Sequence, residues 1–258
     1  MNTLESFSLN GKVVLLTGGA GLYGHGLASQ VAEAGATLVL ASRNTEALAK
    51  VAASETARGY SVIAESLDQG NEGSILALRD RLVSRFGRID GLINNAVLRP
   101  MRNPDSPLST WEESMKVNAT GLFALSRAVG DVMAKSGGGS IVNISSIMGI
   151  VGPNFSNYEG TGMTTVPDYF FHKGGMISLT HYFASLYGPA GVRVNCVSPG
   201  GYFTGQDPVF VDRYNKCTML GRMAGDRDLG GAIVFLLSDA SSYITAVNLP
   251  VDAGYTAK

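Results

Sequence analysis

The sequence predicts one α/β domain in which a doubly wound, parallel, seven-stranded sheet carries helices on both faces. Three observations predict it. Short apolar runs alternate with longer amphipathic ones along all 258 residues, and strand–helix alternation of this kind builds a parallel sheet. Several short runs are almost continuously apolar, the pattern of strands buried on both faces. The first run enters a glycine-rich turn that opens a helix, as at the ligand crevice of open α/β sheets.

The strand-like runs are Val13–Thr17, Thr37–Ala41, Ser61–Ser66, Gly91–Asn94, Ser140–Ser145, Val192–Val197 and Val247–Val251. Between them lie helical patterns at Leu22–Ala34, Thr45–Ala57, Glu72–Phe86, Trp111–Lys135, Tyr169–Tyr187 and Asp226–Leu237. Two stretches rich in Gly, Pro and polar residues break the alternation, 150–167 and 200–223. They are expected to be irregular, to follow strand ends and to wall the substrate side of the crevice. No repeat or linker divides the chain, so residues 1–258 are read as a single domain.

Composition excludes several function classes. A 45% apolar and 16% charged chain is globular. Twenty basic against twenty-one acidic residues provide no basic stripe for nucleic acid. No apolar run is long enough to span a bilayer, and the N-terminus lacks a basic-then-apolar signal pattern. Cys196 and Cys217 read as free thiols of a reducing, cytoplasmic protein. His25, His172 and His181 are scattered, and no Cys/His group has metal-ligand spacing, so no metal is expected.

Strand one runs into Gly18-Gly19-Ala20-Gly21-Leu22-Tyr23-Gly24. Gly19, Gly21 and Gly24 spell G-x-G-x-x-G in the strand–turn–helix context of a Rossmann fold, where backbone N–H groups and the helix N-terminus receive a pyrophosphate. The plainer alternative is a tight turn with no ligand. Strand two ends Ser42-Arg43-Asn44, with no carboxylate to meet ribose hydroxyls and an arginine where a 2′-phosphate would lie. NADP is therefore expected over NAD, with NAD open.

Tyr169 and Lys173 stand four apart, on one face of a helix. A neighbouring ammonium lowers the pKa of a phenol, so the pair can exchange a proton with a substrate oxygen. Ser145 and Ser146 end strand five at the crevice edge, and Asn118 sits unusually inside a helical pattern.

With the glycine motif, Asn94-Asn95-Ala96, Asn118, Ser146, Tyr169-x-x-x-Lys173 and Pro199-Gly200 in this order, the whole chain resembles the short-chain dehydrogenase/reductase family. The resemblance implies Tyr169 as general acid/base and Ser146 as the hydrogen-bond donor to the substrate oxygen. It implies that Lys173 lowers the tyrosine pKa and binds the nicotinamide ribose, and that Asn118 holds a relay water. Asp68, Asn95 and Ala96 would border the adenosine side. Pro199 to Thr204, Tyr202 included, would seat the nicotinamide. The resemblance also implies a homodimer or homotetramer paired through Trp111–Lys135 and Tyr169–Tyr187.

The chain departs from the family pattern at Leu22, Val97, Ala246 and Ala253, where glycine is common. The spacing from Ser146 to Tyr169 is longer than usual, with the surplus in Gly152–Pro167. Its Asn154, Ser156, Asn157, Tyr158, Glu159, Thr161, Thr164 and Thr165 suit a polyhydroxylated, sugar-like substrate. An acyl-thioester, steroid or polyol ketoreductase is the alternative, with Phe170, Phe171, Tyr202, Phe203 and Phe210 lining its pocket. A non-catalytic dinucleotide sensor is the alternative of another class.

Overall fold

The computed structural model describes residues 2–258. Seven strands form one all-parallel sheet: β1 Val13–Thr17, β2 Thr37–Ser42, β3 Val62–Ser66, β4 Gly91–Asn94, β5 Gly139–Ile144, β6 Val192–Pro199 and β7 Asn248–Val251. Their order is β3-β2-β1-β4-β5-β6-β7. The direction of winding reverses between β1 and β4, which opens a crevice at their C-terminal ends.

The alternation of side chains explains why the strands read as continuous apolar runs. Val14 and Leu16 of β1, with Leu38 and Leu40 of β2, enter one core. It is shared with α1 (Leu22–Glu33), α2 (Thr45–Ala57) and α8 (Gly230–Leu237) through Leu27, Leu48 and Ile233. Val13, Leu15, Val39 and Ala41 enter a second core on the opposite face. There they meet Leu78 of α3 (Glu72–Phe86), Leu125 of α5 (Leu122–Lys135) and Phe183 of α6 (Pro167–Tyr187). Each strand thus serves two layers, as a doubly wound fold requires.

Four elements differ from the sequence expectation. The pattern Trp111–Lys135 is not one helix: α4 (Leu108–Met115) joins α5 through a π-helical turn at Lys116–Gly121. The loop after β3 presses there, and a Cβ on Gly121 would stand 2.0 Å from the Gln69 carbonyl oxygen. The 200–223 stretch is not irregular throughout, since it contains α7 (Pro208–Cys217). Asp207 caps this helix by accepting from the Val209 N–H at 2.8 Å, Pro208 occupies its first turn, and Phe210 and Tyr214 turn inward together. The helix expected from Asp226 starts at Gly230, because the Asp228 carboxylate accepts from the Gly225 N–H and pairs with Arg222, holding a turn. Strand β5 stops at Ile144, so Ser145 and Ser146 lie just beyond it. Residues 150–167 are irregular as expected, save a short 3₁₀ turn at Phe155–Asn157 and the Pro167 start of α6.

Ala246 and Ala253 adopt φ of 63° and 57°, the left-handed region that accounts for glycine being common there in the family.

Candidate active site

The crevice is a cleft of about 790 Å³. Its floor is the glycine turn. Gly18 has φ of +69°, and the Gly21 N–H donates to the Gly18 carbonyl at 2.9 Å. A Cβ on Gly24 would stand 2.1 Å from that same carbonyl oxygen, and one on Gly19 would stand 2.8 Å from Leu40 Cδ2. A side chain at Gly24 would push helix α1 off the turn, and one at Gly19 would displace the Leu40 side chain. No side chain caps the N-terminus of α1, whose Gly21, Leu22 and Tyr23 line the cleft. This is the donor set that a pyrophosphate needs. Asn95 braces the turn, donating from Nδ2 to the Thr17 and Gly18 carbonyls at 3.0 and 3.1 Å. Thr17 Oγ1 in turn accepts from the N–H of Asn95 and of Ala96. Ser42, Arg43 and Asp68 line the adenosine end, and Arg43 has no acidic partner among the described residues.

The other end holds the proton-transfer group. Helix α6 packs against β6 and the turn after β5, bringing Tyr169 and Lys173 to the cleft beside Ser146. Lys173 is 3% exposed, and its Nζ donates to the Ile144 carbonyl at 2.5 Å. Ser145 Oγ donates to the Lys173 carbonyl at 2.8 Å, tying helix to strand end. Ser146 Oγ accepts from the Met148 N–H at 3.1 Å, which fixes its position while leaving its proton free to donate. The Tyr169 ring stands between two cations: Lys173 Nζ is 5.6 Å and the Arg99 guanidinium carbon 4.5 Å from its centroid. Burial pushes the phenol up, but Lys173, Arg99 and the adjacent Ser146 outweigh it and hold Tyr169 below the ordinary phenol range. Burial also lowers the Lys173 ammonium, against the pull of Tyr169. His172 lies edge-on to Tyr169 at 5.3 Å, and burial with the nearby cations pushes it down to about 3, so it is a neutral wall at neutral pH.

Asn118 does something the sequence did not suggest. It sits in the π-helical turn, 3% exposed, and grips the loop after β4. Its Oδ1 accepts from the Leu98 N–H at 2.8 Å, and its Nδ2 donates to the Leu98 carbonyl at 2.7 Å and to Ser114 Oγ at 3.0 Å. The side-chain amide thus anchors the loop after β4 to the π-helical turn.

Gly18, Gly21, Tyr23, Ser42, Arg43, Asp68, Asn95, Ala96, Ser146, Tyr169, Lys173, Pro199, Gly200, Tyr202 and Thr204 all line the cleft. Gly19, Gly24 and Asn118 stand behind it. Tyr23 serves as a brace, its hydroxyl donating to the Gly200 carbonyl at 2.7 Å and its ring meeting Tyr202 edge-on. Thr204 is held by its N–H, which donates to Gln206 Oε1 at 2.8 Å.

Arg99 was missed by the sequence reading. The signal was its place two residues beyond Val97, in a loop that follows a strand's C-terminal end. The substrate wall also differs from expectation. Of the surplus segment, Tyr158 and Met163, Thr164, Thr165 and Val166 reach the cleft, whereas Asn154, Ser156, Asn157, Glu159 and Thr161 do not. They hold the segment to α7 or to itself: Arg213 donates to the Ser156 and Glu159 carbonyls at 2.9 and 2.6 Å, and Tyr158 packs on Phe210 at 5.2 Å. Ile147, Phe210, Tyr214 and Met223 form a small core beneath. The two substrate-side segments are thus one packed wall. Of the aromatics expected for an apolar pocket, Tyr202 and Phe210 line the cleft; Phe170, Phe171 and Phe203 do not.

A family model described as enoyl-(acyl carrier protein) reductase matches residues 21–256. The D-threitol dehydrogenase of Mycolicibacterium smegmatis is 32% identical over 98% of this chain and 95% of its own. This chain belongs to the short-chain dehydrogenase/reductase family. The 2-dehydro-3-deoxy-D-gluconate 5-dehydrogenase of Escherichia coli is likewise 32% identical over 99% of both chains. Among solved structures, a gluconate 5-dehydrogenase from Burkholderia cenocepacia in complex with NADP and tartrate superposes with a TM-score of 0.91 at 30% identity, over all of both chains. As a short-chain dehydrogenase/reductase, the chain is an oxidoreductase acting on CH–OH groups, and no helix among the described residues is long and apolar enough to cross a membrane.

Proposed function

We propose that this enzyme interconverts a secondary alcohol and a ketone on a polyhydroxylated, sugar-like substrate, using NADP in preference to NAD. The observation that carries the reading is the convergence of Tyr169, Lys173 and Ser146 on the far end of a cleft whose near end is the glycine turn. Relatives named for threitol and for 2-dehydro-3-deoxygluconate support the substrate class.

The glycine turn, Asn95 and Pro199 to Thr204 would hold the dinucleotide, with Arg43 and Ser42 on its ribose phosphate. When bound, the nicotinamide supplies the hydride acceptor or donor. The rest is done by the protein. Ser146 donates to the substrate oxygen and orients it. Tyr169 takes the hydroxyl proton during oxidation and returns it during reduction. Lys173, fixed by the Ile144 carbonyl, keeps the phenol acidic enough for that exchange. Asn118 positions the loop that carries Arg99.

A panel of polyols, sugar acids and β-keto esters with both cofactors tests the reading. Turnover of polyhydroxylated compounds is expected, and turnover of β-keto esters alone would overturn the substrate class. For the cofactor, Arg43→Ala is expected to weaken NADP binding by roughly ten-fold or more, and NAD binding far less, since only NADP presents a phosphate to the guanidinium. Equal losses in titrations of the two cofactors would contradict this.

The working form is a cytoplasmic homodimer or homotetramer in this reading. Leu108, Phe171, Tyr182 and Leu186 stand exposed on α4 and α6, and a second copy would cover them. Sedimentation at micromolar concentration is expected to give a dimer or tetramer; a strictly monomeric species would contradict it. The thiols of Cys196 and Cys217 are unpaired, in keeping with a reducing compartment.

A further inference from the structure

Arg99 has no acidic partner; its one side-chain neighbour of note is the Tyr169 phenol. It lines the substrate end of the cleft and is itself exposed. Among the described residues it forms no ion pair. Nor is it a loose surface arginine. Both backbone groups of the preceding Leu98 are gripped by Asn118, and Pro100 follows, so the main chain that carries it is fixed on either side. Its guanidinium carbon lies 4.5 Å from the centre of the Tyr169 ring, at the same end of the cleft as the reacting atoms.

The charges around it point one way. Asp68 is the one acid that lines the cleft, and it belongs to the adenosine end. Of the other cations in the lining, Arg43 stands at that same far end, and Lys173 donates to the Ile144 carbonyl. The substrate end therefore offers one guanidinium without an acidic partner, together with the hydroxyls of Ser146, Thr164 and Thr165. A guanidinium presents a planar fork that matches a carboxylate with two parallel hydrogen bonds. One such cation balances a monoanion better than a dianionic phosphate.

We propose that Arg99 is the substrate-carboxylate ligand of this enzyme, which makes its substrates sugar acids rather than neutral polyols. This rests on the reading of the site as a polyhydroxy-alcohol oxidoreductase. Arg99 is here a specificity-determining residue: a bound carboxylate draws the guanidinium onto the substrate, and Asn118 holds the loop ready for it.

The test pairs each acid with the polyol of the same carbon chain: gluconate with glucitol, ribonate with ribitol, threonate with threitol. Wild-type enzyme with NADP is expected to favour the acid of its best pair in kcat/KM. Arg99→Gln is expected to lower the acid-to-polyol ratio by roughly 10- to 100-fold, the worth of charge-assisted hydrogen bonds, mainly through KM. Arg99→Lys keeps the charge and should recover part of the ratio. A readout without turnover is titration of gluconate into the enzyme–NADPH complex, where Arg99→Gln should weaken binding by a similar factor. If neither acids nor polyols react, the reading of the site falls, and this inference with it. If polyols react better than acids, or if Arg99→Gln reduces both members of each pair equally, the site reading stands and the carboxylate assignment is overturned.

Discussion

Tyr169→Phe is expected to lower turnover by roughly 10²- to 10⁴-fold, the contribution of a positioned proton-transfer group. The substitution keeps the ring. The edge contact with His172 at 5.3 Å and the approach of the Arg99 guanidinium to within 4.5 Å of the ring centre should therefore survive, with the fold undisturbed. What disappears is the one hydroxyl held between two cations and beside Ser146. Cofactor affinity should stay near the wild-type value, because the glycine turn and Arg43 lie at the other end of the cleft. Turnover near the wild-type level would mean that the proton leaves by another route.

Lys173→Met is expected to cost roughly 10²-fold or more in alcohol oxidation at neutral pH and to change its pH dependence as well. During oxidation Tyr169 must accept a proton, so the rate falls as pH drops through the phenol's pKa. Burial pushes that pKa up, and Lys173 is the largest influence pulling it down. Without the ammonium the acidic limb of kcat moves to higher pH, and activity should partly recover under alkaline conditions. Arg99 remains as a second cation, so part of the downward pull persists against burial. In the reductive direction, where Tyr169 donates, the limb should extend to higher pH. An unchanged pH profile at reduced rate would assign Lys173 to cofactor binding alone.

The sequence made some of this legible and concealed the rest, for identifiable physical reasons. Strands β1 and β4 and helices α2 and α3 have the predicted limits, because each is bounded by glycine, asparagine or aspartate, as where Asn44 and Asn71 cap the two helices. The parallel, doubly wound character of the sheet followed from alternation, whereas the strand order comes from the structure. Helix α7 stayed hidden because its ten residues lie in a stretch of glycines and mixed polar residues, and its apolar face is completed by residues from elsewhere in the chain, among them Ile147, Tyr158 and Tyr255. The π-helical turn was hidden too, since the group that forces it, the Gln69 carbonyl, belongs to a loop 52 residues before Gly121. Asn118 stands out in the sequence as an asparagine inside a helical pattern, but its grip on Leu98 depends on a loop 20 residues away, which sequence patterns do not mark. The surplus segment was judged by its polar content. Most of that polarity is spent internally, as with Ser156 Oγ donating to Asn154 Oδ1 at 2.7 Å, and the cleft receives Thr164, Thr165 and apolar neighbours instead. Arg99 carries the substrate argument that the segment was expected to carry.

The central claim is that this cleft brings a secondary carbinol of a polyhydroxylated substrate to Tyr169 within reach of the nicotinamide of NADP. The most direct measurement is isotope transfer. A sugar acid or polyol chosen from the panel is deuterated at the carbinol carbon and incubated with enzyme and NADP, and the reduced cofactor is analysed by mass spectrometry. The account predicts that deuterium appears in the reduced cofactor in step with ketone formation, and that Tyr169→Phe suppresses both together. Ketone formed without label in the cofactor, or label transfer that survives Tyr169→Phe at full rate, would contradict it.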